Sequence, residues 1–151
     1  MVNTTGAEKQ RISCLLGISA ANGVLPLYAV FKGKKVPQDV SHFQAQGVVI
    51  AANQNAWLTE DTFHNWIDKV WSAYANRFDR TLLIMDSFRV HKLQSVLSKL
   101  ESLKTDVLFI PAGLTFYCQP CDVYLNKPVK DSMRRSWQQF MINQQPDEEG
   151  N

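Results

Sequence analysis

Two aspartates in the second half of the chain follow short apolar segments. Asp86 comes directly after residues 81–85 (TLLIM), a run too short for a helix and typical of a buried strand. Asp122 comes a little beyond residues 107–110 (VLFI), a second such run, which ends at a proline. In open α/β sheets, ligands lie outside the carboxyl ends of strands. Carboxylates in these positions are well placed to hold a metal ion.

Each aspartate also has a purely structural interpretation. Asp86 could cap the turn that follows it, and Asp122 could be the N-cap of the final helix. Pro128 complicates the second interpretation, because with a cap at Asp122 it falls beyond the first turn and should kink the helix. With Asn126 as the cap, Pro128 lies within the first turn, where proline is tolerated, and Asp122 lies in the preceding loop. The sequence leaves both arrangements open.

The first part of the chain is predicted to form a β-hairpin. Residues 11–19 (RISCLLGIS) and 24–31 (VLPLYAVF) are apolar runs rich in strand-forming residues. Residues 20–23 (AANG) lie between them, and Asn-Gly supplies the positive φ angles that a tight turn needs. Residues 48–51 (VVIA) form a third, short strand candidate.

Residues 59–76 give the clearest helix prediction. Thr59 is a suitable N-cap, and Glu60 and Asp61 lie favourably in the first turn. The apolar residues of this segment fall on one face and are interpreted as core packing. They are Phe63, Trp66, Ile67, Val70, Trp71 and Tyr74.

The remaining elements complete an α/β pattern. Residues 93–103 have helical spacing between the two apolar strands, and residues 122–142 predict a final helix with an apolar stripe. Strands that alternate with helices predict a parallel sheet, and the hairpin makes that sheet mixed. The fold class predicted is therefore α/β, with a mixed sheet flanked by helices.

Composition limits the class of protein. The chain has 151 residues, of which 45% are hydrophobic and 20% are charged, as expected for one globular domain. A net charge of +2 is too small to argue for a nucleic-acid partner by itself. There is no apolar run of about 18 residues, so we expect no membrane span. Three cysteines without a signal peptide predict a reducing compartment. The acidic segment 144–151 is predicted to be a disordered tail.

Cys118 and Cys121 form a Cys-x-x-Cys pair, which taken alone suggests half of a zinc site or a redox pair. Structural zinc needs four ligands, and the sequence has no second cysteine pair. We interpret both cysteines as small apolar side chains.

The second half of the chain resembles a known family. Its segments LLIMDSFRVHK, VLFIPAG and QPCDVYLNKPVK are similar in order and spacing to the DDE superfamily endonuclease domain of pogo-, Tigger- and jerky-like transposases. In that family a histidine follows the second carboxylate by five residues, as His91 follows Asp86. A Gln-Pro-Leu-Asp signature then delivers the third carboxylate, and here residues 119–122 read Gln-Pro-Cys-Asp. The family's later Pro-x-Lys corresponds to residues 128–130.

The first half shows the same resemblance. Residues 8–11 before the first strand, 20–23 at the turn and 25–34 in the second strand are similar to the family's hairpin. Trp57-Leu58-Thr59 resembles the Trp-Met-Thr with which the family begins its helix. The resemblance covers residues 6–142.

This resemblance implies a ribonuclease-H-like fold and metal-assisted phosphoryl transfer on DNA in the nucleus. In two-metal sites the ions lie about 3.5–4 Å apart, and here Mg²⁺ or Mn²⁺ would be held by three carboxylates. By the same resemblance, Asp86 and Asp122 are the catalytic and metal-binding residues. His91, Ser87 and Gln119 support them, although many relatives have asparagine at the position of Ser87. Four basic residues after Asp122 either line a DNA path or form an ordinary solvated helix face. They are Lys127, Lys130, Arg134 and Arg135.

One departure from the family pattern concerns the first carboxylate, which the family carries on a strand upstream of the hairpin. Asp39 and Asp61 do not match it, since one is expected in a loop and the other in a helix turn. We therefore expect an endonuclease-like domain over residues 1–143 that lacks its first strand and is a poor nuclease alone. The alternative is a domesticated, inactive nuclear module that binds DNA or protein.

Overall fold

The structure is a computed structural model that describes residues 12–21, 23–36, 40 and 47–143. At residues 115, 116 and 122 it describes the backbone only. Four features of the sequence analysis lie outside the described residues: residues 8–11, Asn22 of the turn, Asp39 and the acidic tail. The proposed division into a domain and a tail at residue 143 therefore stays a prediction.

The predicted hairpin is confirmed. Strand β1 (Ile12–Leu15) pairs antiparallel with β4 (Tyr28–Lys32), so that Ile12 lies opposite Phe31. Beyond this pair, the hairpin continues into β2 (Ile18–Ser19) and β3 (Gly23–Val24). Gly23 has a φ of +78°, which the glycine next to a tight turn adopts without a Cβ clash.

Strand β5 (Val49–Asn53) pairs in parallel with the free side of β4 and completes a three-stranded sheet in the order β1-β4-β5. One antiparallel and one parallel pair make this sheet mixed, as predicted. A separate two-stranded sheet consists of β6 (Thr81–Asp86) and β7 (Thr105–Ile110), which run parallel. The helix α3 (Gln94–Ser102) connects them in the way that parallel strands require.

Alternation along β6 and β7 separates an inner from an outer face. Leu83 and Met85 turn toward the core, with Val107 beside Leu83 on the neighbouring strand. Leu82 and Ile84 turn outward and are exposed. The outer face of this sheet is thus apolar but uncovered by the described residues.

The predicted helix over residues 59–76 is confirmed as one continuous helical segment, called the long helix below. It consists of α1 (Glu60–Trp66), a π-helical turn (Ile67–Trp71) and α2 (Ser72–Ala75). Thr59 is the N-cap: its hydroxyl accepts from the Thr62 N–H, and the Thr62 hydroxyl accepts in turn from the Thr59 N–H. This reciprocal capping box satisfies two amides that a helix start otherwise leaves unpaired.

The core forms where this helix packs between the sheets. Phe63 and Trp66 stack with ring centroids 5.2 Å apart, and the ring centroids of Trp66 and Trp71 are 6.0 Å apart. Trp71 donates its indole N–H to the Thr105 hydroxyl at 2.9 Å, which ties the helix to β7. Tyr28 is fully buried and donates to Asn65, and burial raises the pKa of its hydroxyl to about 12. The interpretation of the helix aromatics as core packing is confirmed.

The C-terminal helical region differs from both predicted arrangements. After α4 (Thr115–Cys118), a π-helical turn (Cys121–Leu125) runs directly into α5 (Asn126–Asn143). Asp122 is therefore neither an N-cap nor a loop residue, and Asn126 is helical instead of a cap. Proline interrupts the regular helical hydrogen-bond ladder. The π-helical turn just before Pro128 instead contains a hydrogen bond of the wider π-helical type, from the Asn126 N–H to the Cys121 carbonyl.

Together these elements confirm the predicted mixed α/β class, consistent with a ribonuclease-H-like domain. The prediction that a first strand is lacking is not tested by the described residues. No helix in the described part of the chain is long and apolar enough to cross a bilayer.

Candidate metal and nucleic-acid site

Asp86 lies at the carboxyl end of the parallel sheet. It is the last residue of β6, which corrects the prediction that the strand ends one residue earlier. Its partner in the register is Ile110, the last residue of β7, so both strands end at the same edge. This is the edge at which ligands bind in open α/β sheets.

One oxygen of the Asp86 carboxylate is fixed by the protein. Oδ1 accepts from the Phe88 N–H at 3.2 Å and lies 2.8 Å from Nδ1 of His91. Oδ2 has no partner among the described residues. The side chain is 33% exposed, so this second oxygen remains open to an incoming ligand. A carboxylate held through one oxygen is suited to monodentate metal binding, which Mg²⁺ accepts.

His91 is held in place by two rings. It lies on a 3₁₀ turn (Arg89–Lys92), and its ring centroid is 4.7 Å from Phe63 and 5.7 Å from Phe88. Its side chain is 13% exposed. An ionised carboxylate only accepts hydrogen bonds, so Nδ1 must carry the proton that binds Asp86. The same nitrogen lies 3.3 Å from the Asp86 carbonyl oxygen.

Ser87 and Gln119 take different places. The Ser87 hydroxyl donates to the Ile110 carbonyl at 2.7 Å and so ties together the ends of the two parallel strands. Gln119 is half-buried and, together with Asp86 and His91, lines a groove at the carboxyl end of β6. Of the three predicted supporting residues, His91 contacts Asp86, Ser87 joins the strand ends, and Gln119 lines the groove.

This groove has a volume of about 820 Å³. Strands β1 and β6 line it, and the aromatic face of the long helix contributes Phe63 and Trp66. Cys121 closes part of it, because its thiol donates to the Leu16 carbonyl at 3.4 Å and connects the C-terminal region to the end of β1.

Asp122 lies within the π-helical turn, between groove-lining Cys121 and Asn126. Its side chain lies outside the described part, so the structure does not join the two predicted carboxylates. Among the described side chains, no three His, Cys, Asp or Glu residues converge on one point. The described donor set is therefore one anchored carboxylate, which fits a Mg²⁺ ion that keeps most of its waters.

The Cys-x-x-Cys pair is divided by exposure. Cys118 is exposed, whereas Cys121 is half-buried and bonded to Leu16. The interpretation of the two cysteines as small apolar side chains fits the half-buried Cys121 and does not fit the exposed Cys118. Neither cysteine belongs to a group of three metal-ligating residues among those described.

The four basic residues are all exposed on α5. Lys127, Lys130 and Arg134 have the i, i+3, i+7 spacing of one helix face, and Arg135 adjoins it. Arg134 lies 3.3 Å from Asp131, an exposed pair of small energetic weight. Because α5 starts at the groove-lining Asn126, this basic face begins at the border of the groove.

Sequence reasoning missed one contributor to the site. Phe63 was assigned to the core alone, yet its ring also positions His91. The structural interpretation of Asp86 as a cap of the following turn is confirmed, because its Oδ1 accepts from the Phe88 N–H. The residue order Asp-x-Phe is compatible with such an Asx-type turn.

Fold and site together define an α/β domain with an anchored carboxylate at the strand ends beside a basic helix. Comparison with known proteins identifies its class: the chain belongs to the DDE superfamily endonuclease family, whose sequence pattern matches residues 9–151. The resemblance inferred from the motifs is thereby confirmed.

The chain is similar to "Pogo transposable element with KRAB domain" from Mus musculus, with 35% identity over 144 residues, and from Homo sapiens, with 34%. These alignments cover 94% of this chain and 23% of each relative. "Pogo transposable element with ZNF domain" from Homo sapiens is 24% identical over 139 residues, which cover 91% of this chain and 10% of that protein. The chain thus spans about a quarter of the length of the first two relatives. No solved structure gives a significant match.

Proposed function

We propose that the chain is the DNA-processing portion of a transposase-derived endonuclease, acting on nuclear DNA with Asp86 and Asp122 as its metal-binding carboxylates. The observation that carries this proposal is the anchoring of Asp86. One of its oxygens is occupied by His91 and the Phe88 amide, and the other is open beside the groove. A turn cap requires only the Phe88 amide, whereas the largely shielded His91 adds a second contact to the same oxygen.

Mg²⁺, when bound, would supply Lewis-acid activation of the phosphodiester and of an attacking water or hydroxyl. The residues of the chain would do the positioning. His91 keeps the Asp86 carboxylate in one orientation, and residues that orient a ligand in this way raise metal affinity. Asp122 would add its carboxylate from the neighbouring helical turn, and Gln119 would face the same space.

The basic face of α5 would bind the DNA backbone. Lys127, Lys130, Arg134 and Arg135 carry four positive charges on exposed side chains next to the groove. Cations that neutralise phosphates release counterions, so binding through this face would weaken steeply with salt.

A second candidate is a domesticated module that binds DNA without cutting it. It is favoured by the exposed basic face of α5, which can bind phosphates without a metal ion. Both candidates share DNA binding, and they differ in whether a metal binds and whether the backbone is cleaved.

Metal binding is measured with Mn²⁺, whose free form is counted by electron paramagnetic resonance. We expect the chain to bind Mn²⁺ and Asp86→Asn to weaken that binding by at least roughly tenfold, as loss of a metal-site contact does. Asp79→Asn is the matched control, because Asp79 is an exposed carboxylate just before the opposite end of the same strand. Equal loss in both variants, or none in Asp86→Asn, contradicts the metal site.

DNA binding is measured as the slope of log affinity against log salt. Replacing the four basic residues by glutamine should reduce that slope by up to about 3.6, at about 0.9 per phosphate contact. Lys69→Gln, an exposed lysine on the long helix, should leave the slope unchanged. Unchanged slopes in the fourfold variant would exclude α5 as the DNA surface. Retained DNA binding without Mn²⁺ binding or cleavage of plasmid DNA would select the second candidate.

A further inference from the structure

The Cys-x-x-Cys pair is a feature that the proposed function does not use. Cys118 is the last residue of α4 and is exposed, whereas Cys121 is the first residue of the following π-helical turn and is half-buried. Two residues separate them, which is the spacing of redox-active dithiols. The pair therefore combines an accessible thiol with a shielded one, as redox-sensing cysteines and their resolving partners do.

The backbone between the two cysteines holds them on one turn. Pro120 has a φ of −58° and a ψ of −36°, which are helical angles, and its ring fixes that φ. The Val123 N–H donates to the Gln119 carbonyl at 3.1 Å, so helical bonding around Cys121 already begins at Gln119. Residues three apart in a helical turn lie on the same side, which places Cys118 and Cys121 side by side.

Cys121 also makes a contact that ties this turn to the first sheet. Its thiol donates at 3.4 Å to the carbonyl of Leu16, which lies just beyond the end of β1 and 105 residues away in sequence. A thiol donates only while its sulfur carries a hydrogen. A disulfide at Cys121 therefore removes the donor of this contact.

We propose that Cys118 and Cys121 form a reversible disulfide, and that its formation releases the turn Cys121–Leu125 from the end of β1. This inference goes beyond DNA processing and does not depend on it, because it concerns two thiols and one contact between elements. In the reducing compartment that the cysteine usage predicts, disulfides are transient and serve catalysis or redox sensing. The pair is accordingly a site of reversible oxidation and not a permanent cross-link.

The oxidant is a small-molecule disulfide, such as oxidised glutathione. The exposed Cys118 sulfur attacks one glutathione sulfur, the glutathione S–S bond breaks, and the leaving sulfur takes up the Cys118 proton. The Cys121 sulfur then attacks Cys118 in this mixed disulfide and forms the protein S–S bond. The second glutathione leaves with the Cys121 proton. Two electrons thus pass from the two thiols to one glutathione disulfide, and excess reduced glutathione reverses both steps.

The test of the disulfide uses the whole chain and mass spectrometry after alkylation of the remaining thiols. As the ratio of oxidised to reduced glutathione rises, two alkylation sites should disappear together, and peptide mapping should link Cys118 to Cys121. Cys14→Ser is the matched control, because Cys14 is the third cysteine of the chain and is exposed. It should form the same disulfide at the same glutathione ratio, whereas Cys118→Ser should form none.

The release from β1 is measured by hydrogen exchange at the amides of residues 123–126. Cys121→Ala lacks both the disulfide and the donor, while Cys121→Ser lacks the disulfide but keeps a hydroxyl donor for Leu16. We expect the oxidised chain to exchange like Cys121→Ala, severalfold faster than the reduced chain and than Cys121→Ser. In Cys118→Ser, the oxidant should leave the exchange rate unchanged.

Three results would overturn the proposal. A disulfide that includes Cys14, or glutathione adducts without an intramolecular disulfide, would assign the oxidation to another arrangement. Equal exchange rates in the oxidised and reduced chains would mean that the disulfide does not release the turn. One Zn²⁺ per reduced chain in elemental analysis, lost in Cys118→Ser, would make the two thiols metal ligands instead.

Discussion

Nδ1 of His91 lies 2.8 Å from Oδ1 of Asp86, and the imidazole ring itself contacts the rings of Phe63 and Phe88. An exposed ion pair adds little to the stability of a protein. The contact instead fixes the orientation of the Asp86 carboxylate. Because Phe63 belongs to the core and contacts His91, core packing helps to set the geometry of the site.

The first prediction concerns this pair. His91→Leu removes the donor and should lower Mn²⁺ affinity by roughly 10- to 100-fold, as loss of a residue that orients a metal ligand does. His91→Asn is the control, because the asparagine amide lies near the position of Nδ1 and can still donate to Asp86. Isothermal titration of Mn²⁺ into each variant measures the difference. If leucine and asparagine behave alike, His91 does not orient the carboxylate.

The second prediction concerns the start of the long helix. Thr59→Ala removes the side-chain cap and should lower the free energy of unfolding by about 1 kcal/mol. Thr59→Ser keeps the hydroxyl and should stay close to the unmodified chain. Urea unfolding followed by circular dichroism gives both values. A serine variant as unstable as the alanine variant would point to lost packing of the methyl group instead.

The third prediction concerns the buried bond between Trp71 and Thr105. Thr105→Val keeps the shape and the strand propensity but leaves the indole N–H without its acceptor, which should cost about 1–3 kcal/mol. Thr81→Val removes only the half-buried contact of Thr81 with the Thr105 hydroxyl and should cost less. The two unfolding free energies are compared directly. Equal costs would show that the indole bond adds nothing.

The fourth prediction concerns pH. Arg80 donates two bonds of 2.6 Å to Asp106, and the guanidinium lowers the pKa of that carboxyl below its ordinary range. A lowered folded-state pKa means that the pair's stabilising contribution is present near neutral pH and is lost as pH falls through that pKa. The unfolding free energies of the unmodified chain and of Asp106→Asn should therefore differ near neutral pH and converge only in acid, as pH falls below the ordinary range of an aspartate and through the lowered pKa. Since the pair is exposed, a difference that persists in high salt would contradict this account.

Local features of the fold were predictable from sequence, since short-range physics decides them. The Thr59 cap, the aromatic spacing that follows it and the apolar run ending near Asp86 each depend on a few consecutive residues. The boundaries of the helical elements near Pro128 depend on more distant packing. That is why Asp122 was assigned to a cap or a loop and lies within a π-helical turn.

The candidate site was predictable to the same extent. Asp86 and His91 were linked by the resemblance to the family, in which a histidine follows the second carboxylate by five residues, and the structure brings their side chains into contact. The support from Phe63 comes from a residue far away in sequence, which no local pattern reveals. The parallel pairing of β4 with β5 depends likewise on contacts between distant parts of the chain.

Helix α5 has no fully buried residue, although Trp137 and Phe140 stack on its surface with centroids 5.7 Å apart. A helix of this length is marginal in water without packing, so it should melt separately from the core. Of the four tryptophans, Trp66 and Trp71 are buried, whereas Trp57 just before α1 is 56% exposed and Trp137 on α5 is 53% exposed. In a Trp57→Phe variant, red-shifted emission from Trp137 would follow α5, and blue-shifted emission from the buried pair would follow the core. That variant would thus carry separate optical signals for the C-terminal helix and for the packed core.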